Sequence, residues 1–182
     1  MTKITVPTRD QVSPANQALF DTIKNNAGKV PNLWAAMANS EHGLAAYFAL
    51  TTAKSSLNAK EKEVINLVVS QVNTCNYCLA AHTMLGKMNG FTDGQILEIR
   101  QGGASFDPKL DALARFAKSA TEHYGHPDPQ ALENLFAAGY TPGNVVDIIL
   151  VIADKVVTNY LYSVSDMTID FPAAPALPLQ FA

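Results

Sequence analysis

Four times along this chain a helix-capping side chain is followed directly by proline: Ser13-Pro14, Asp107-Pro108, Asp128-Pro129 and Thr141-Pro142. An oxygen at the N-cap accepts a hydrogen bond from an unpaired N–H of the first turn. Proline at the first helical position gives up an N–H that has no partner there anyway. Each pair therefore starts a helix. Asn58-Ala-Lys-Glu61 and Thr92-Asp-Gly-Gln95 have the reciprocal form of a capping box. Glycines stand where helices must stop, at Gly28, Gly90 and Gly102-Gly103. No stretch alternates apolar and polar residues between hairpin turns, so the chain reads as all-α, a single-domain helical bundle.

Taken in order, the pattern gives an extended arm over residues 1–12, a helix from Pro14 to about residue 26, and a short apolar helix at 33–38. The next helix, from about Ser40 to about Ser55, is apolar on nearly all sides, as for a buried or interface helix. Further helices are expected at Ala59–Val72, 75–89, from about residue 93 to the Gly102-Gly103 pair, 108–124, 129–138 and 142–164, followed by an apolar, proline-rich tail at 171–182. Shifted by 83 positions, Ile65, Leu67, Val68, Asn76 and Tyr77 meet Ile148, Leu150, Val151, Asn159 and Tyr160. This faint echo suggests a repeated helical hairpin in which only the first copy keeps thiols.

The chemistry concentrates in the first copy. Both cysteines of the protein, Cys75 and Cys78, lie here, with His82 four residues further on. On a helix these positions share a face. Asn73-Thr74 has break chemistry, because both side chains compete for backbone hydrogen bonds. If the chain folds back there, Glu63 and His82 both lie about 12–16 Å from the turn and meet across the hairpin. A carboxylate orienting an imidazole, and an imidazole deprotonating a thiol, follows the logic of a catalytic triad. The second thiol can close a disulfide on the first.

Glu63, eleven residues, Cys75-x-x-Cys78, three residues and His82 resemble the active-site pattern of the alkylhydroperoxidase D-like proteins, within the carboxymuconolactone decarboxylase superfamily. Lys62-Glu63-Val64-Ile65-Asn66, Cys78-Leu79-Ala80-Ala81-His82 and Gly28-Lys29-Val30-Pro31-Asn32 extend the resemblance. One position departs: well-known members carry a histidine before the second cysteine, and this chain has Tyr77. The resemblance implies a helical bundle with its site on a hairpin, assembled as trimers or hexamers. It also implies a thiol-dependent peroxidase or disulfide reductase that uses no metal or bound cofactor. Glu63, Cys75, Cys78 and His82 would be catalytic, acting on a small peroxide, with an external dithiol or a lipoyl or thioredoxin-like partner restoring the pair. It points to Cys78 as the attacking thiolate; thioredoxin-like logic points instead to Cys75, the more helix-N-terminal and more exposed thiol. Two other readings stand beside it: a redox-sensing module that toggles without turnover, and a lactone decarboxylase, whose chemistry does not depend on Cys-x-x-Cys.

Zinc would need four protein ligands in a structural site, and this motif offers three; His42, His123 and His126 stand elsewhere. A c-type haem is excluded, since Leu79 follows Cys78. Tyr77 is read as a packing residue whose hydroxyl could reach the site. Net charge of −3 gives no argument for nucleic acid or a membrane surface. Residues 1–10 lack the apolar run of a signal peptide, and a lone Cys-x-x-Cys fits a cytoplasmic redox pair. Only 16% of residues are charged, which leaves apolar surface to cover and favours a homo-oligomer, with the tail packed on a neighbouring subunit.

Overall fold

In the computed structural model, which describes residues 4–177, the helices follow the punctuation closely. They are α1 (Pro14–Ala27), α2 (Asn32–Met37), α3 (Gly43–Thr51), α4 (Ala59–Val72), α5 (Asn76–Met88), α6 (Asp93–Arg100), α7 (Pro108–Glu122), α8 (Pro129–Ala137) and α9 (Pro142–Ser163). Among the described residues no strand forms. The caps act as the residues dictate. Ser13 Oγ accepts from Asn16 N–H, and Asp107 and Asp128 cap α7 and α8. Thr92 and Thr141 make capping boxes with Gln95 and Asn144. In the Asn58 box, Asn58 Oδ1 accepts from Glu61 N–H at 3.0 Å while Glu61 Oε2 accepts from Asn58 N–H at 2.9 Å.

Helix α4 is the centre of the bundle. It packs against α5, α6, α7 and α9, and Val64, Ile65, Leu67, Val68 and Val69 are fully buried. A helix buried all round carries little amphipathic signal, which is why β-branched residues can fill it. Its polar residues need partners, and Glu61 has them: the Asn58 cap, the Tyr140 hydroxyl at 3.0 Å and Lys109 Nζ at 3.1 Å. A second cluster gathers Phe20, Ile23, Leu44 and Tyr47 from α1 and α3. A third joins Leu33, Tyr77 and both cysteines with Met167 and Phe171 of the C-terminal segment.

Four expectations are corrected. The arm is not uniformly extended, because Arg9–Gln11 forms a 3-10 turn. Helix α3 is shorter than expected, Gly43–Thr51, and although apolar on all sides it buries only Leu44 and Tyr47 fully within one chain, with the alanines at 45, 46 and 49 exposed. The repeated hairpin is absent: Ile148 and Tyr160 lie on one unbroken helix, α9, so the echo is one of apolar helix composition alone. The tail folds back on its own chain at least to Pro175, whose carbonyl accepts from Arg100 Nη1 at 2.6 Å; Leu179 and Phe181 lie outside the described residues.

Candidate active site

The α4–α5 connection is short because three residues do three jobs. Asn73 ends α4 and its amide donates to Asn159 Oδ1 of α9 at 2.9 Å. Thr74 takes a left-handed conformation, φ 52°, which reverses the chain. Cys75 N–H then donates to Ser70 O at 2.9 Å, and Cys75 becomes the N-cap of α5, its sulfur accepting from Cys78 N–H at 3.4 Å. Sulfur stands where a serine oxygen normally caps.

The fold-back brings Glu63 and His82 together. Glu63 Oε2 lies 2.8 Å from His82 Nδ1, and Asn66 Nδ2 donates to Glu63 Oε1 at 3.1 Å. Both side chains are buried. Burial works against the Glu63 carboxylate, but His82, then Lys155 and Asn66, outweigh it and hold the carboxyl below its ordinary range.

The third member came from a part of the chain that held no motif. Lys155 of α9 lies with Nζ 3.1 Å from His82 Nε2, and 3.7 Å from Asp154 Oδ1. Burial alone would push this lysine down; Tyr47, Asp154, Cys78 and Glu63 together hold it above its ordinary range. An ammonium has only protons to offer, so the hydrogen-bond pattern assigns His82 as the Nδ1–H tautomer, donating to Glu63 and accepting from Lys155. Lys155 escaped the sequence reading because it stands 73 residues from His82. The usable signal was a lysine set in a helix apolar on more than one face, since such a residue is almost never fully buried without partners.

The two thiols are reduced, buried and unequal. The Cys75 S–H donates to the Cys78 sulfur. That hydrogen bond first, then the Lys155 charge and His82, outweigh burial and lower Cys78 to about 6. The same hydrogen bond, together with burial, raises Cys75 well above a free thiol. Cys75 was expected to be the more exposed of the two, but each is 2% exposed. Their difference lies in direction: Cys78 lines a cleft of about 690 Å³ together with Glu63, His82 and Lys155, while Cys75 does not. Trp34, Leu50, Met84, Leu85 and Val151 give that cleft apolar walls.

Tyr77 also lines the cleft, and its hydroxyl bonds α2 and the C-terminal segment. It accepts from Leu33 N–H at 3.2 Å and donates to Asp170 Oδ1 at 2.5 Å, and Asp170 pairs with Lys29 Nζ at 2.8 Å. Phe171 meets the Tyr77 ring edge-on at 5.5 Å. Tyr77 thus anchors the C-terminal segment over the site. His42, His123 and His126 are exposed. Among the described residues no group of three or more His, Cys, Asp or Glu is arranged to hold a metal ion. No helix among them is long and apolar enough to cross a membrane.

Known proteins place this geometry in context. No curated protein matches the sequence significantly. Among solved structures, the chain is similar to an uncharacterized peroxidase-related protein of Ralstonia eutropha JMP134, described as an alkylhydroperoxidase AhpD core, with TM-score 0.81 and 21% identity over 93% of this chain and 94% of that one. A peroxidase-related protein of Silicibacter sp. TM1040 superposes with TM-score 0.75 and 23% identity over 92% of each chain. The debrominase Bmp8 does so with TM-score 0.77 and 18% identity over 93% of each. The sequence profile of the carboxymuconolactone decarboxylase family matches residues 32–119, from the start of α2 into α7 and including all four motif residues. The chain is thus similar to the carboxymuconolactone decarboxylase family over that central region, and its fold is that of the alkylhydroperoxidase D core.

Proposed function

We propose that the protein is a thiol-dependent peroxidase in which Cys78 attacks and Cys75 resolves. One observation carries this reading: of two equally buried thiols, the one held as a thiolate is the one that opens on the cleft. The Cys78 thiolate attacks the distal oxygen of a hydroperoxide. The S–O bond forms, the O–O bond breaks, and the alkoxide leaves as alcohol once protonated from the linked Glu63–His82–Lys155 array. Sulfur is oxidised by two electrons to a sulfenic acid and the peroxide is reduced. Cys75 then attacks that sulfur, a disulfide forms and water leaves. An external dithiol, free or carried on a lipoyl or thioredoxin-like partner, returns two electrons by exchange.

Apolar walls suit an organic hydroperoxide, and nothing in this cycle calls for a bound cofactor. A redox module without turnover would form the disulfide once and stop, and a lactone decarboxylase would have no use for the two thiols. Consumption of cumene hydroperoxide with dihydrolipoamide as reductant separates these readings. Sustained turnover that vanishes in Cys78→Ser is expected. Peroxide loss limited to one equivalent per subunit would replace the enzyme with the module, and turnover that survives Cys78→Ser would remove the thiol mechanism.

A further inference from the structure

We propose that Lys155 is the acid of this reaction: its ammonium gives the proton that converts the departing alkoxide to alcohol, and recovers it when the disulfide is reduced. This rests on the peroxidase reading of the same site.

The argument is one of proton inventory. His82 Nε2 faces Lys155 Nζ at 3.1 Å and His82 Nδ1 faces Glu63 Oε2 at 2.8 Å. A carboxylate accepts and an ammonium donates, so the imidazole proton sits on Nδ1 and Nε2 has none to give. Of the three linked groups Glu63, His82 and Lys155, the transferable proton facing the cleft therefore belongs to Lys155, which lines it with Cys78. One N–H of the ammonium is used on His82, which leaves two. The groups that face it are Asp154 on α9, Tyr47 on α3, Glu63 on α4, and His82 and Cys78 on α5. As the proton leaves, His82 keeps the lysine amine in place, and Glu63 keeps His82 in place. One turn along α9, the Asn159 side chain hydrogen-bonds the thiols and favours their charged forms.

The cycle balances. The Cys78 thiolate, the hydroperoxide and the Lys155 proton give sulfenic acid, alcohol and a neutral lysine. Cys75 thiol and the sulfenic acid give disulfide and water with no net proton. Reduction by a dithiol returns Cys75 as thiol and Cys78 as thiolate. The one proton left over goes back to Lys155.

The test compares two oxidants whose leaving groups differ. Cumene hydroperoxide expels an alkoxide that needs a proton; 3-chloroperbenzoic acid expels a carboxylate that needs none. Lys155→Met is expected to slow Cys78 oxidation by cumene hydroperoxide about 10²–10⁴-fold per thiolate, as for loss of a general acid, while leaving the peracid rate within about tenfold. Thiolate content comes from the pH dependence of iodoacetamide alkylation, whose midpoint should rise in Lys155→Met because a neighbouring cation is lost. Lys155→Arg keeps the charge but holds its proton, so it should keep the low midpoint and still lose the hydroperoxide rate. Should the methionine variant not fold, the arginine variant decides by the same comparison. Equal slowing with both oxidants, or an unslowed hydroperoxide reaction, overturns the acid role. A wild-type protein inert to both oxidants would instead sink the peroxidase reading beneath it.

Discussion

Tyr77 shows what a single side chain changes in this family pattern. Where well-known members place a histidine, its hydroxyl here bridges Leu33 N–H of α2 and the Asp170 carboxylate. Its deletion leaves a buried N–H without a partner, which costs about 1–3 kcal/mol. Tyr77→Phe should therefore lower the free energy of urea unfolding by that amount while the alkylation midpoint of Cys78 stays put, because the hydroxyl bonds Leu33 and Asp170 and is not among the groups that set the Cys78 thiol. A variant of unchanged stability would show that the bridge contributes nothing. At this scale the motif residues were legible from spacing alone: Glu63, Cys75, Cys78 and His82 are brought together by helix geometry and one turn, both local. Lys155, Asn159 and Asp170 were not. Their place at the site depends on how α9 and the C-terminal segment dock, and no local period encodes that.

The α4–α5 hairpin is the element on which the chemistry depends, and its turn carries local strain. Thr74 is β-branched yet has φ 52°, a conformation that costs an L-residue about 1–2 kcal/mol and glycine almost nothing. Its side chain is exposed and forms no part of the site. Thr74→Gly is expected to leave stability unchanged or raise it by up to about 1 kcal/mol, the relief of strain offsetting glycine's greater unfolded entropy. Loss of more than about 1 kcal/mol in urea unfolding would mean that the threonine holds the turn by some other contact. The element boundaries were readable because capping is side-chain chemistry within four residues. The repeated hairpin was misread because apolar β-branched runs recur in any buried helix, and only a break like Asn73-Thr74 makes a hairpin of one. Around Tyr160 there is no such break.

For the whole molecule, the outer side of α9 is the feature that the isolated subunit leaves unexplained. Val146, Leu150, Ala153, Val157, Tyr160 and Val164 are all exposed and follow one another by four and three residues in turn. That is the spacing of a helix–helix seam. We propose that it packs against another copy of the chain, as the low charge content also suggests. Light scattering should give a mass that is a multiple of 19.5 kDa, and Val157→Glu should weaken the assembly. A monomer in the wild type would refute this.

The central claim is that Cys78 is the attacking thiolate and Cys75 its resolving partner. Cys75→Ser tests it most directly, since serine keeps both the N-cap and the hydrogen bond to the Cys78 sulfur but cannot form the disulfide. With cumene hydroperoxide and dimedone present, this variant should accumulate a sulfenic acid adduct on Cys78 over the pH range above about 6, and Cys78→Ser should accumulate none. An adduct on Cys75 in Cys78→Ser, with none on Cys78 in Cys75→Ser, would reverse the roles of the two thiols and contradict the account.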